Sequence, residues 1–263
     1  MPYQSLELQI QESVATLWMN RPVVHNAFDE TLVAELTEAY RTLDADPAVR
    51  VVVLGGRGKS FSAGADLKWM QWASAQGVDD NLADARALAR MLRTLADSKK
   101  PTIARVHGAA LGGGMGLVAA CDIAVASIDA VFATSEARLG IIPAAISPYV
   151  LRAIGSRQAL RYFQTGERID AARAREIGLV HEAVAPEQLD ATVANIAAAL
   201  LLGGPLAQTA AKELIRAVDH QPVNDSLLED TAHRIGYLRA TPEAREGIAA
   251  FLEKRSPRWA QKA

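Results

Sequence analysis

Cysteine is nearly absent from this chain. Among its 263 residues there is one, Cys121, so no disulfide can close within the chain and a zinc centre of several thiolates is excluded. Cys121 stands among Val118, Ala119, Ala120 and Ile123, the setting of a buried core thiol rather than of a nucleophile. An excess of one charge is lacking too. Lysine and arginine total 28 against 30 acidic side chains, a formal net charge of −2, and there is no run rich in arginine or lysine. That balance supplies no strong field for nucleic acid or an anionic membrane. The uncharged stretch Gly108 to Cys121 is too short and too rich in glycine to span a bilayer. The start, MPYQSLELQIQ, has no basic residue ahead of an apolar run and is not a signal peptide. A soluble protein of the reducing cytoplasm is expected, with neither a membrane nor nucleic acid as partner.

What is present is ordinary globular composition, 50% hydrophobic and 22% charged, enough for one sizeable core with a small appendage. Ser13 to Met19, Arg50 to Leu54, Pro101 to Val106 and Asp122 to Ala126 are apolar or β-branched and end at turn residues, as strands do. Glu30 to Leu43 carries Leu32, Val33, Leu36, Ala39, Tyr40 and Leu43 at one-face helical spacing, and Asn81 to Leu95 repeats the pattern. Strands alternating with helices give an α/β class. After about Ala185 strand signals stop, and Pro186 to Leu202, Pro205 to Val218, Val223 to Ala240 and Pro242 to Phe251 read as helices. Their prolines fit first-turn positions, and Thr241 is a good N-cap for the last.

Two glycine-containing stretches are decoys. Val51 to Phe61, VVVLGGRGKSF, resembles a phosphate-binding loop, but Val53 stands where that motif needs glycine. Gly112 to Gly116 resembles a dinucleotide fingerprint, but Leu117 occupies its last glycine position. Two other readings carry chemistry. Phe61 to Leu67, FSAGADL, follows a strand and is small enough for a ligand to approach the backbone. Asp66 would begin a helix running from Leu67 through Trp72 and leave an amide near Ala65 exposed. His107 to Leu117, HGAALGGGMGL, follows the strand 101–106 and opens a helical run over 114–120. Glycines at a helix N-terminus leave free N–H donors where the dipole favours negative charge.

FSAGADL followed by GAALGGGMGL resembles the paired oxyanion-hole segments of the crotonase (enoyl-CoA hydratase/isomerase) superfamily. Asn20-Arg21-Pro22 with Asn26-Ala27-Phe28, Cys121-Asp122-Ile123, and Ser135-Glu136 with Gly140-Ile141-Ile142-Pro143 match further segments in order, through Phe251 to Arg255. The resemblance implies a crotonase-like spiral of ββα units over 1–195 that carries the active site, and a helical C-terminal region over 196–263 that builds a trimer or a hexamer of two trimers. It implies that the Ala65 and Gly113 amides hold the thioester oxygen of an acyl-CoA while Glu136 moves protons. Ala63, Ala65, Asp66, Leu67, Lys68 and Gly113 would lie against the substrate, and Phe251 and Lys254 would contact coenzyme A, sometimes from a neighbouring subunit. No metal or redox cofactor is implied; coenzyme A enters as part of the substrate.

The chain departs from the family pattern twice. Val23 stands where a lysine for the CoA phosphates is common. Gly116 stands where ordinary hydratases carry the first of two catalytic glutamates, which leaves Glu136 to work alone or with a residue from elsewhere. The text around Glu136, ATSEARLGIIPAAISPYV, resembles a bacterial subgroup of methylglutaconyl-CoA and isohexenylglutaconyl-CoA hydratases of leucine and terpene breakdown, which also has Gly at that position. The expected reaction is addition of water across the 2,3 double bond of such a branched thioester. An isomerase on the same scaffold and a non-catalytic CoA- or RNA-binding relative are the alternatives. Arg138 reads as a solvated or structural ion pair and His107 as a satisfied strand-end histidine. Trp69 and Trp72 line an acyl pocket or simply pack.

Overall fold

The computed structural model describes residues 3–260. Leu6–Gln11 (β1) and Val14–Met19 (β2) pair as an antiparallel hairpin, turned at Glu12 and Ser13, both of positive φ. β2 buries Ala15, Leu17 and Met19 and turns Thr16 and Trp18 to the other face, the alternation of a sheet strand. Glu30–Ala45 (α1) starts at Asp29, whose carboxylate accepts from the Leu32 N–H at 2.9 Å, and it buries the six residues that its sequence period picks out. Then come Val51–Gly56 (β3), Leu67–Ser74 (α2), Val78–Ala96 (α3), Thr102–Val106 (β4), Ala109–Leu111 (β5), Gly113–Ala120 (α4), Ile123–Ser127 (β6) and Val131–Ala133 (β7). Ser147–Thr165 (α5), Ile169–Asp170 (β8), Ala171–Glu176 (α6) and Glu182–Val184 (β9) lead into four helices: Leu189–Leu201 (α7), Pro205–Val218 (α8), Asp225–Arg239 (α9) and Pro242–Leu252 (α10).

The strands divide between two sheets. One has the order β1-β2-β3-β4-β6-β9, parallel except for the hairpin; the other has the order β5-β7-β8. Consecutive strands β4 and β5, then β6 and β7, go one to each sheet, so the chain winds as a spiral. Single parallel bridges, Ser62 with Ala110 and Phe28 with Ala65, carry the second ladder on beyond β5. The expected α/β spiral is what the chain adopts. The main core lies between the large sheet and α1, α3, α4 and α5. A second cluster joins Val51, Val53, Ile103 and Val125 on the opposite face to Leu189, Val193 and Ala197 of α7. Residue 195, where the sequence division falls, lies inside that helix.

Four helices stand where they are expected: α8 and α10 begin at Pro205 and Pro242, α9 begins at Asp225 rather than Val223, and Pro186 falls in a 3-10 turn ahead of α7; the Thr241 hydroxyl accepts from the Ala244 N–H at 3.2 Å as an N-cap. They attach where the parallel strands begin. Arg50, ahead of β3, donates to the Gly203 carbonyl at 2.6 Å, and Lys212 on α8 meets Asp122, ahead of β6, at 2.7 Å. Among the described residues no single helix is long and apolar enough to cross a membrane; α7 with its leading turn and α8 would pass together on composition, but they are bent by 103°.

Candidate active site

The site forms where β3 and β4 end and the chain crosses to the second sheet. Leaving β3, the chain does not wrap a phosphate loop. The Phe61 N–H donates to the His107 carbonyl and the Ser62 N–H to the Ala109 carbonyl, both at 2.9 Å, so residues 61–65 become a strand-like rung beside β5. Ser62 is fully buried and its hydroxyl donates to the Asn26 carbonyl at 2.8 Å. On the other side the Phe28 N–H donates to the Gly64 carbonyl at 2.7 Å, and the Asp66 N–H donates to the Phe28 carbonyl at 2.9 Å. A parallel bridge of that kind uses the groups of residues 64 and 66, so the N–H of Ala65 points away from Phe28. It has no acceptor among the described residues.

The second amide comes from α4. Gly112, at φ 51°, turns the chain out of β5, and Gly113 is the first helical residue. The N–H of a first-turn residue has no partner within its helix, and that of Gly113 has none elsewhere among the described residues. The two segments are close-packed because both turns are glycine. A Cβ on Gly64 would lie 2.9 Å from the Leu111 carbonyl oxygen and 3.8 Å from the Gly112 Cα. A Cβ on Gly113 would lie 2.5 Å from the Phe28 ring. The two free amides thus sit at the ends of two abutting turns, beside the positive end of α4.

Glu136 begins a short 3-10 helix after β7, and its carboxyl oxygen Oε1 lies 3.1 Å from where a Cβ on Gly112 would be. The other oxygen, Oε2, is buried without a hydrogen-bond partner. Burial is the main influence on this carboxyl and raises its pKa above the ordinary value; its own backbone N–H pulls the other way. A desolvated carboxylate beside two unpaired amides can accept a proton while a neighbouring oxygen gains negative charge.

Asp66 is the N-cap of α2, accepting from the Lys68 N–H at 2.9 Å. Arg21 explains how it is held. Its Nη2 meets Asp29 at 2.7 Å and Asp66 at 3.2 Å, and Nη1 donates to the Ala27 carbonyl. One guanidinium therefore ties the caps of α1 and α2 to the segment that carries Phe28. Asn26, fully buried, supports the same turn: it accepts from the Arg21 N–H at 2.8 Å and donates to the Ser60 and Arg57 carbonyls at 2.8 and 2.9 Å. The NRP and NAF segments were visible as a family match, but nothing in their composition spelled out this clamp.

Ala63 donates its N–H to the His25 carbonyl at 2.9 Å, and Leu67 and Lys68 face solvent at the mouth. Trp72 is exposed, whereas Trp69 buries its Nε1 with no acceptor among the described residues. His107 faces the Gly58 carbonyl at 2.9 Å, as a satisfied strand-end histidine would, and Arg138 is exposed and donates to the Thr165 carbonyl at 3.1 Å rather than to a carboxylate. Cys121 packs on the main core, and burial pushes its thiol pKa upward, away from thiolate character. Phe251 and Lys254 are exposed at the end of α10; among the described residues no hydrogen bond or ion pair joins either of them to residues 63–68, 113 or 136. No group of three or more metal-ligating side chains occurs among the described residues.

This arrangement coincides with what comparison with known proteins finds. The enoyl-CoA hydratase/isomerase family model matches residues 9–262. The crotonyl-CoA hydratase of Syntrophomonas wolfei is 35% identical, covering 100% of both chains. The crystal structure of an enoyl-CoA hydratase from Shewanella pealeana superimposes with a TM-score of 0.95 at 40% identity, over 98% of this chain and 96% of that one. An enoyl-CoA hydratase/isomerase from Marinobacter aquaeolei gives 0.91 at 37% identity, over 98% and 100%. With a match along nearly its whole length and the same spiral, this chain is an enzyme of the enoyl-CoA hydratase/isomerase family.

Proposed function

We propose that the protein is an enoyl-CoA hydratase that adds water across the 2,3 double bond of a branched, glutaconyl-type CoA thioester. The observation that supports it most is the meeting of two unpaired amides, of Ala65 and Gly113, with the one buried oxygen of Glu136 that has no partner. In this reading the thioester oxygen takes both N–H donors. The Glu136 carboxylate accepts a proton from water as its oxygen bonds to C3, and the electrons of the double bond pass through C2 to the thioester oxygen as an enolate. The enolate then collapses and C2 takes the proton back from Glu136. One carboxyl serves both transfers, and preorganised donors of this kind are worth about 3–4 kcal/mol each to the transition state. The relatives' names favour hydration, and the branched acyl group rests on the sequence around Glu136 and on Gly116.

The CoA end of the substrate would run past Lys68, and Phe251 and Lys254 would reach it from a second copy. In support, α8 and α9 fully bury none of their residues, and Leu214, Ile215, Ile235, Tyr237 and Phe251 are exposed. A trimer or a hexamer of two trimers would cover them.

The test incubates the purified protein with 3-methylglutaconyl-CoA, crotonyl-CoA and a 3-enoyl-CoA and reads products by mass. Gain of one water on the glutaconyl thioester, lost in Glu136→Gln, is the expected result. An unchanged mass with a moved double bond would make the protein an isomerase, a reaction that a single carboxyl also suits. No turnover of any of the three would refute the reaction.

A further inference from the structure

Gly116 and Ile146 meet across the interface of α4 and α5. Gly116 lies one turn into α4 from Gly112, to whose carbonyl it donates at 3.1 Å, and both are buried. A Cβ on Gly116 would fall 2.7 Å from the Ile146 Cβ and closer still to its Cγ2. Glycine at 116 is therefore a requirement set by Ile146 rather than a space left open. Glu136 and Ile146 lie against successive turns of one glycine-lined edge, the carboxyl at Gly112 and the isoleucine at Gly116.

Ile146 is well fixed. It is 2% exposed, its carbonyl accepts from the Tyr149 and Val150 N–H groups at 3.1 Å, and its β-branch leaves little rotamer freedom. It stands at the start of α5, which packs on α4. An acyl chain held by the Ala65 and Gly113 amides and continuing past Glu136 along that edge would reach Ile146 one helical turn further on. The isoleucine side chain is hydrocarbon alone, so any discrimination by it comes from shape and apolar contact.

We propose that Ile146 is the residue by which this site selects its acyl group: its side chain excludes any side chain at 116 and forms an apolar wall that favours a substrate branched at C3 over an unbranched one. The inference rests on the hydratase reading and deepens it by naming what chooses the substrate.

The test compares wild type with Ile146→Ala, Gly116→Ala, the double variant and Ile146→Val. Binding of 3-methylbutanoyl-CoA and butanoyl-CoA is measured by calorimetry, hydration of the matching 2-enoyl thioesters by absorbance, and melting temperature alongside. A hydrophobic contact of one methylene discriminates about 10–200-fold, so Ile146→Ala should cut the branched-over-linear preference by about tenfold or more. Ile146→Val should do so less, and it serves if the alanine variant does not fold. Gly116→Ala should lower the melting temperature, and removing Ile146 in the same chain should give much of it back, because residues in contact are not additive. An unchanged preference in both Ile146 variants, or strictly additive melting effects, would overturn the proposal. Binding of both thioesters without hydration of either would sink the reaction but leave selection by Ile146 standing on the affinity ratio. Binding of neither by the wild type overturns both.

Discussion

Replacing Gly113 by alanine probes the oxyanion geometry through a collision that can be measured in advance. The new Cβ would lie 2.5 Å from Cε2 and 2.9 Å from Cδ2 of Phe28. Carbon atoms rest at about 3.5–4.0 Å, so roughly 1 Å of movement is needed. The ring has nowhere to retreat, being 1% exposed within the main core. Its backbone is tied on both sides of Ala65, to the Gly64 carbonyl and the Asp66 N–H. Relief must therefore come from parting α4 and the 64–66 segment, which separates the two amides. Overpacking of this kind costs about 1–3 kcal/mol of stability. A displacement of about 1 Å at a reacting centre costs on the order of 10²-fold in rate. Gly113→Ala is thus expected to fold with a lowered melting temperature and to lose kcat by about that factor, with KM changed much less, since a misplaced donor is felt most where charge develops. Steady-state kinetics on a 2-enoyl-CoA with thermal melts would decide it. A lowered melting temperature with wild-type kcat would refute the reasoning, because it would mean that Phe28 yields without moving Ala65.

Glu136→Gln should uncouple stability from activity. Burial raises the folded-state pKa of Glu136, so the fold is favoured with this carboxyl protonated: the contribution is fully present below the ordinary glutamate pKa and is lost as pH rises through the raised folded value. The glutamine variant should therefore melt higher than wild type at about pH 8, with the gap closing towards about pH 4, while turnover falls by roughly 10²–10⁴. A gap independent of pH would remove the burial argument. Arg21→Met should lower kcat more than it raises KM, because it frees Asp66 and Asp29 from a shared guanidinium without touching the substrate's path. Arg21→Lys should recover only part of this, since an ammonium cannot fork to two carboxylates and a carbonyl. Full recovery in the lysine variant would show that charge alone matters there.

Elements long enough to carry a repeating pattern of their own are legible in the sequence, and those too short to carry one are not. The six buried residues of α1 follow from its own period, and the span of α8 from Pro205 at its first turn. β5, β7 and β8 are two or three residues long, and β7 runs between the other two, a pairing that no local pattern announces. β1 alternates Leu6, Leu8 and Ile10 with Glu7, Gln9 and Gln11 as a strand should, but the sequence does not show that burial falls away along it, from buried Leu6 to exposed Ile10. The uncharged run that α7 and α8 share gives no sign in the sequence of the 103° bend that the structure places at Gly203 and Gly204. The site divides in the same way. Asp66 as a cap and the glycine-started α4 follow from local rules, whereas Arg21 reaches across three segments.

Gly116 shows the division within a single residue. In sequence it is only the lack of a carboxylate, and the natural inference is that a glutamate restored there would bring back a second acid. The structure opposes that inference, because Ile146 already occupies the direction in which any side chain at 116 must grow. Gly116→Glu alone would set a carboxylate against a buried isoleucine, and an unpaired buried charge costs several kcal/mol on top of the overlap. The two positions are coupled, and the order of change matters. Ile146 must shrink first, and only then can an acid at 116 be accommodated. That order makes the single carboxyl a property of the pair rather than of either residue.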